Sequence, residues 1–165
     1  MSFFPLFRQD SVVSEYNRLM FTISRQFVFC YGHRLVHHIG KCANLHGHNG
    51  VVKIGLRNDQ LNPQGMVADF IDVKNTIGEW IETTLDHRLI LQESDPLVDV
   101  LQKHGEVVLI LPVEPTAENL AKLIYEKAEE FGLPIYSVAF WETEKCSAEY
   151  NKNRNDSQCD DGLPE

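Results

Sequence analysis

The sequence predicts an α+β domain, a four-stranded antiparallel sheet with two helices on one face. Three observations carry this expectation. Residues 21–31 and 47–56 are rich in β-branched and aromatic side chains in rough alternation, the pattern of half-buried strands. Residues 69–85 and 116–131 repeat apolar side chains at three- and four-residue spacing, the period of an amphipathic helix. The stretch NDQLNPQG at 58–65 is dense in turn formers and suits an antiparallel return after the second strand.

Taken in order, residues 1–20 are expected to be an N-terminal extension, 21–150 a single domain and 151–165 a flexible polar tail. In the second strand Val52, Ile54 and Leu56 share one face, with Val51 and Lys53 on the other. The first helix carries Phe70, Val73, Ile77, Trp80, Ile81 and Leu85, and Asp69 or Asp72 fits its start, where free amide N–H groups favour an acid. A loop-rich stretch follows, then a strand at 106–111 bounded by Pro112. Thr116 is the N-cap candidate of the second helix, whose stripe is Leu120, Leu123, Ile124, Ala128 and Phe131. Gly132 and Pro134 stop it, and a last strand spans 135–141. Such a sheet leaves two edges, which oligomerisation would cover.

Composition narrows the function classes. The chain of 165 residues is 43% hydrophobic and 24% charged, with a formal net charge of −9. It has no Lys/Arg cluster, which argues against a nucleic-acid-binding face. No apolar run is long enough to span a bilayer. The N-terminal MSFFPLFRQD lacks the pattern of a secretory signal, so a cytoplasmic location and free thiols at Cys30, Cys42, Cys146 and Cys159 are expected.

The chemistry concentrates in GKCANLHGHNG, residues 40–50. His46 and His48 are two apart, so in an extended chain their imidazoles project from one face. His33 ends the preceding strand, and a chain return brings it beside them. Three imidazoles with an open position form a common catalytic zinc arrangement; ordinary surface histidines are the alternative. Cys42 is a metal ligand or a catalytic thiol beside the metal, whereas Cys30 in its apolar strand reads as an inert buried thiol. His37 and His38 read as solvent-facing or as outer-shell partners. Asp86 and His87 pair a carboxylate with an imidazole, or else His87 caps a helix C-terminus. Glu142, after an apolar strand, is a candidate anchor for a ligand with two parallel donors, or a strand-end acid facing water.

His33, Cys42, His46 and His48 followed by GMVADF, LDHRL, PTAEN and WET resemble the 6-pyruvoyltetrahydropterin and 6-carboxytetrahydropterin synthase family over residues 21–150. The resemblance implies the tunnelling fold (T-fold), with trimers whose sheets close into a barrel and pair into hexamers. It assigns the zinc ligands to His33, His46 and His48, proton transfer to Cys42, and a relay to Asp86 and His87. Glu142 then grips the pterin's aminopyrimidine edge, with Thr116, and less so Glu118, shaping the pocket between subunits. The implied substrate is 7,8-dihydroneopterin triphosphate, whose phosphates need cations; Arg25, Arg34, Lys41 and Lys53 are candidates.

His33 stands thirteen residues before His46, which resembles the bacterial carboxytetrahydropterin branch, in which acetaldehyde and triphosphate leave and the product feeds queuosine synthesis. Alternatives are the pyruvoyl branch and a non-catalytic zinc- or pterin-binding homologue. An aldolase-like pterin enzyme without the metal site and generic zinc hydrolysis stand further off. Three departures from the family pattern bear on substrate preference: Gly50 stands where an aromatic usually follows HGHN, FVFCYGH is bulkier than the usual run before the first histidine, and ILQESDP follows LDHRL where many relatives have Leu-Asn.

Overall fold

A computed structural model describes residues 20–151. The expected extension and tail therefore fall, except for residues 20 and 151, outside the described residues. One sheet organises the rest, with strand order β4-β3-β1-β2-β5-β6. Its strands are β1 (Phe21–His33), β2 (His46–Asn58), β3 (Arg88–Gln92), β4 (Val108–Leu111), β5 (Ile135–Thr143) and β6 (Cys146–Asn151). The helices are α1 (Phe70–Val73), α2 (Glu79–Thr84), α3 (Leu97–Lys103) and α4 (Ala117–Glu130).

The α+β class holds, and the sheet is larger and more mixed than the sequence suggested. The expected strands form, each with shifted ends, and β3 and β6 join them. β1, β2, β5 and β6 pair antiparallel, whereas β3 runs parallel to β1 and β4 parallel to β3. β3 reads RLILQ, a short apolar run without alternation, and periodicity does not distinguish such a run from loop or helix. β6 reads CSAEYN and is a polar edge strand with little apolar signal. α3 makes the crossover from β3 to β4 that a parallel pair requires.

β1 and β2 are each 13 residues long and pair without interruption from Phe21↔Asn58 to His33↔His46. Phe29, Val52, Ile54, Leu56, Val138 and Phe140 form the sheet side of the core, and Ile77, Ile81, Leu120 and Ile124 the helix side. The first helix is interrupted by a π-helical segment, Lys74–Gly78. Its buried residues Val73, Ile77, Ile81 and Leu85 are spaced by four. In a regular α-helix each such step overshoots a full turn by about 40°. The wider π turn absorbs that drift and keeps the row facing the sheet. Gly78 sits at the tightest approach, where a Cβ would lie 2.5 Å from Cε1 of Phe27.

Asp95 ties the chain beyond β1 to the chain beyond β3. The Arg34 guanidinium donates to both of its carboxylate oxygens, with Nε to Oδ2 at 2.7 Å. The backbone N–H of Leu97 also donates to Oδ1 at 2.8 Å. Arg34's hydrogen bonds hold the buried Asp95 carboxyl below the usual carboxylate range. Asp95→Asn is expected to cost about 2–3 kcal/mol at neutral pH by leaving Arg34 without its charged partner. The folded-state pKa is depressed, so this stabilisation is present above the unfolded value near ~3.9 and is lost as pH falls through the folded value. Urea titrations of both proteins at neutral and acidic pH check this, the difference between them shrinking on acidification.

Candidate active site

The register sets the centre of the site. His33 lies directly across from His46, and Tyr31 directly across from His48. Residues two apart on one strand share a face with those opposite them, so the three imidazoles converge at one end of the sheet. Ring centroids are 4.5 Å apart for His33–His46, 5.1 Å for His33–His48 and 5.0 Å for His46–His48. One nitrogen from each lies within 4.8 Å of the other two.

The hydrogen bonds orient these rings. His33 Nδ1–H donates to the Pro115 carbonyl at 2.8 Å, and His46 Nδ1–H donates to the Asn44 carbonyl at 2.8 Å. These tautomers follow from acceptors that can only receive a proton. Nε2 of His33 and Nε2 of His48 are buried without a hydrogen-bond partner. Burial pushes His33 below the ordinary imidazole pKa and outweighs the Pro115 carbonyl and Glu142, which act the other way. Two rings held through Nδ1, and one nitrogen from each of the three within 4.8 Å of the others, fit a nitrogen-ligated divalent cation.

A cleft of about 510 Å³ opens over the cluster, and Cys42, Thr116, Glu118, Glu142 and Ser147 line it with the histidines. Cys42 rides on a 3-10 turn, Lys41–Ala43, in the β1–β2 connection. The Leu35 N–H closes that connection by donating to the Cys42 carbonyl at 2.8 Å. Glu114 anchors it from outside, accepting from the backbone N–H groups of Val36 at 3.1 Å and His37 at 2.9 Å. Thr116 caps α4 as expected, accepting from the Asn119 N–H at 3.3 Å, so the start of this helix faces the cleft.

Glu142 stands at an irregularity of the β5–β6 ladder, between Trp141↔Ser147 and Thr143↔Cys146. Such bulges re-aim side chains. Its Oε1 accepts from the Tyr31 hydroxyl at 3.1 Å and lies 3.8 Å from His33 Nε2. Burial first, and the Glu142 charge second, push the Tyr31 phenol far above its usual pKa, so it stays a donor. Sequence reading missed Tyr31; its signal was its place two residues before His33, on the same strand face.

Asp86 and His87 do not join this cleft. They sit at the β1 edge, where the Cys30 N–H donates to Asp86 Oδ1 at 2.8 Å and the His87 N–H donates to the Cys30 carbonyl at 2.6 Å. The pair itself forms: His87 Nδ1–H donates to Asp86 Oδ2 at 2.8 Å. His87 holds a left-handed backbone, φ 56°, rather than capping a helix. The Cys30 hydrogen bond, then His87, hold the Asp86 carboxyl below its ordinary range. Cys30 is exposed rather than buried, because its position in the alternation points it away from the core face. It donates to Asn49 Oδ1 at 3.1 Å and groups with Asp86 and His87 within 4.8 Å.

His37 and His38 are exposed, as expected. Of the candidate phosphate cations, Arg34 is committed to Asp95 and Arg25 donates to the Phe70 carbonyl. Among the described residues no Lys or Arg lines the cleft.

A sheet of this topology with helices on one face is that of a T-fold protein. Two solved structures align with the fold over 82% of the chain. An uncharacterized protein from Wolinella succinogenes does so at 27% identity and TM-score 0.69, covering 99% of that protein. Caenorhabditis elegans 6-pyruvoyl tetrahydropterin synthase does so at 28% identity and TM-score 0.60, covering 97% of that protein. Residues 22–153 match the model of the 6-pyruvoyl tetrahydropterin synthase family, and the chain belongs to that family. Its sequence relatives include the 6-carboxy-5,6,7,8-tetrahydropterin synthase of Aquifex aeolicus (strain VF5), 41% identical over 128 residues, 69% of this chain and 78% of the relative. The enzyme of that name from Haemophilus influenzae (strain KW20 / Rd) is 32% identical over 141 residues, 81% of this chain and 100% of the relative. No helix among the described residues is long and apolar enough to cross a membrane.

Replacing any one of the three imidazoles removes a donor that no neighbour supplies. His33→Ala, His46→Ala and His48→Ala are each expected to weaken divalent-metal binding by more than about 100-fold, beyond the loss from an outer-shell partner. Metal analysis after dialysis against a weak chelator measures this, with His38→Ala as a control that keeps its metal.

Proposed function

We propose that this chain is a zinc-dependent 6-carboxy-5,6,7,8-tetrahydropterin synthase, converting 7,8-dihydroneopterin triphosphate to 6-carboxytetrahydropterin with release of acetaldehyde and triphosphate. The observation that carries the reading is the set of convergent imidazole nitrogens, those of His33 and His48 without a hydrogen-bond partner, sharing one cleft with a thiol and a carboxylate. Relatives bearing that enzyme name, at up to 41% identity, support the choice of branch.

His33, His46 and His48 would hold the zinc, which when bound supplies Lewis acidity to the hydroxyl-bearing side chain of the substrate. Glu142 receives the two parallel N–H donors of the pterin's aminopyrimidine edge and fixes the ring. Cys42 takes a proton from the side-chain carbon. Asp86 orients His87, which exchanges a proton with a side-chain oxygen. Thr116 and the start of α4 shape the wall against the ring.

Asp86 and His87 act across a subunit boundary in this reading. They lie at a strand edge outside their own chain's cleft, and among the described residues no Lys or Arg lines that cleft for a triphosphate. A homo-oligomer, a hexamer made of two trimers, would supply both from neighbouring copies. The catalytic unit is residues 21–150, flanked by the segments 1–20 and 151–165, and acts in the cytoplasm on the route to queuosine.

A second reading is 6-pyruvoyltetrahydropterin synthase, favoured by the likeness to the Caenorhabditis elegans enzyme of that name. It uses the same residues but keeps the side chain. Mass spectrometry of products from zinc-loaded protein and dihydroneopterin triphosphate separates the two. Carboxytetrahydropterin with acetaldehyde is expected, and pyruvoyltetrahydropterin would move the chain to the other branch. Cys42→Ala is expected to lower kcat by at least ~100-fold with metal content unchanged, the scale of one general acid–base group. No product from metal-replete wild-type oligomer would reject both.

A further inference from the structure

Bulk at residue 31 and its absence at residue 50, which belong to two of the departures from the family pattern, meet beneath the cleft. The Tyr31 ring is 4% exposed and packs among Phe29, Phe140, His33 and His48 at centroid distances of 5.5, 5.9, 5.0 and 5.7 Å. It fits because Gly50 leaves the space open. A Cβ at residue 50 would stand 2.9 Å from Cζ of Phe140 and 3.2 Å from Cε1 of Tyr31. Either ring would have to move, and Phe140 is itself fully buried. The ring so seated carries its hydroxyl to Oε1 of Glu142 at 3.1 Å.

Glu142 is a partly exposed acid on a distorted stretch of strand, with three side-chain torsions to fix before it can receive a planar donor pair. Tyr31 fixes them from below. The hydroxyl uses one lone pair of Oε1 and leaves the other, with Oε2, for a ligand. Oε1 also lies 3.8 Å from His33 Nε2, so the same contact sets the ring anchor's distance from the imidazole cluster. Support of this kind converts a flexible carboxylate into a preorganised one.

We propose that Tyr31 is a positioning residue for pterin recognition: seated against Gly50, it holds Glu142 at a fixed place beside the metal-binding imidazoles. The inference rests on the reading of Glu142 as the ring anchor.

Full-length, zinc-loaded wild type, Tyr31→Phe, Glu142→Gln and the double variant test it. Tyr31→Phe keeps the ring in the space above Gly50 and removes only the hydroxyl. Titration with biopterin, a pterin without phosphates, is expected to give an about tenfold or larger rise in Kd for Tyr31→Phe, the scale of one hydrogen bond to a charged group. Zinc content should not change. In the Glu142→Gln background the same substitution should change Kd by less than about twofold, a coupling that a purely structural role would not produce. Thermal melts of the ligand-free proteins form a second cycle, in which coupled losses are expected. Biopterin affinity unchanged by Tyr31→Phe, or additive losses in either cycle, would overturn the role of Tyr31 while the functional reading stands. Wild-type protein that binds no biopterin would overturn both, even with coupled melts.

Discussion

The pairing of β1 with β2 is the interaction on which the site depends. One uninterrupted register sets His33 against His46 and Tyr31 against His48. A slip of one residue would turn every side chain of one strand to the other face and scatter the imidazoles. What prevents the slip is the core, not the histidines. Phe29, Val52, Ile54 and Leu56 lie further along the same inward rows and are essentially inaccessible to water. Each contributes about 1.5–3 kcal/mol by burial, and a shifted register forfeits all of them together. The geometry of the imidazole cluster is thus held by hydrophobic energy from the middle of the sheet, with the polar groups carried at its end.

That arrangement leaves a polar cost to be met locally. Imidazoles beside an apolar core need partners for their N–H groups. The partners are backbone carbonyls from chain segments that the fold already holds, Pro115 just before α4 and Asn44 just before β2. Pro115 therefore does two things: it fixes the tautomer of His33, and it docks the start of α4 to the end of β1. Glu114, next to it, holds the Cys42 connection through Val36 and His37. The thiol, the helix start and the His33 ring are positioned by adjacent residues of one short segment.

Much of this was legible in the sequence, for reasons tied to particular residues. The HxH spacing, the alternation in β2 and the Thr116 cap are local patterns with one physical interpretation each, and all are present in the structure. β3 was not legible, because a five-residue apolar strand takes its identity from the neighbours it pairs with. β6 was hidden by its polarity as an edge strand. The π segment was readable in principle from the strict four-residue spacing of Val73, Ile77, Ile81 and Leu85, which a regular helix does not keep on one face. Cys30 was misread because an apolar strand suggested burial, while its place in the alternation turned it outward. The link from Tyr31 to Glu142 joins residues 111 apart, and no local pattern announces it.

A strand has two faces, and β1 uses both. Tyr31 and His33 look toward the core side, where the imidazoles and Glu142 gather. Cys30, between Phe29 and Tyr31, looks the other way, beside Asp86 and His87. The pair is bonded to the edge of β1, so within one chain it does not line the cleft over His46 and His48. If both serve one reaction, as proposed, a second copy would present this edge to the first copy's cleft. The same step would bring cations to a cleft whose own lining offers Glu118 and Glu142 but no Lys or Arg. In that proposal assembly follows from where β1 carries its groups: the cleft residues on its core side and the Asp86–His87 pair at its edge stand apart in one subunit and would meet only between subunits.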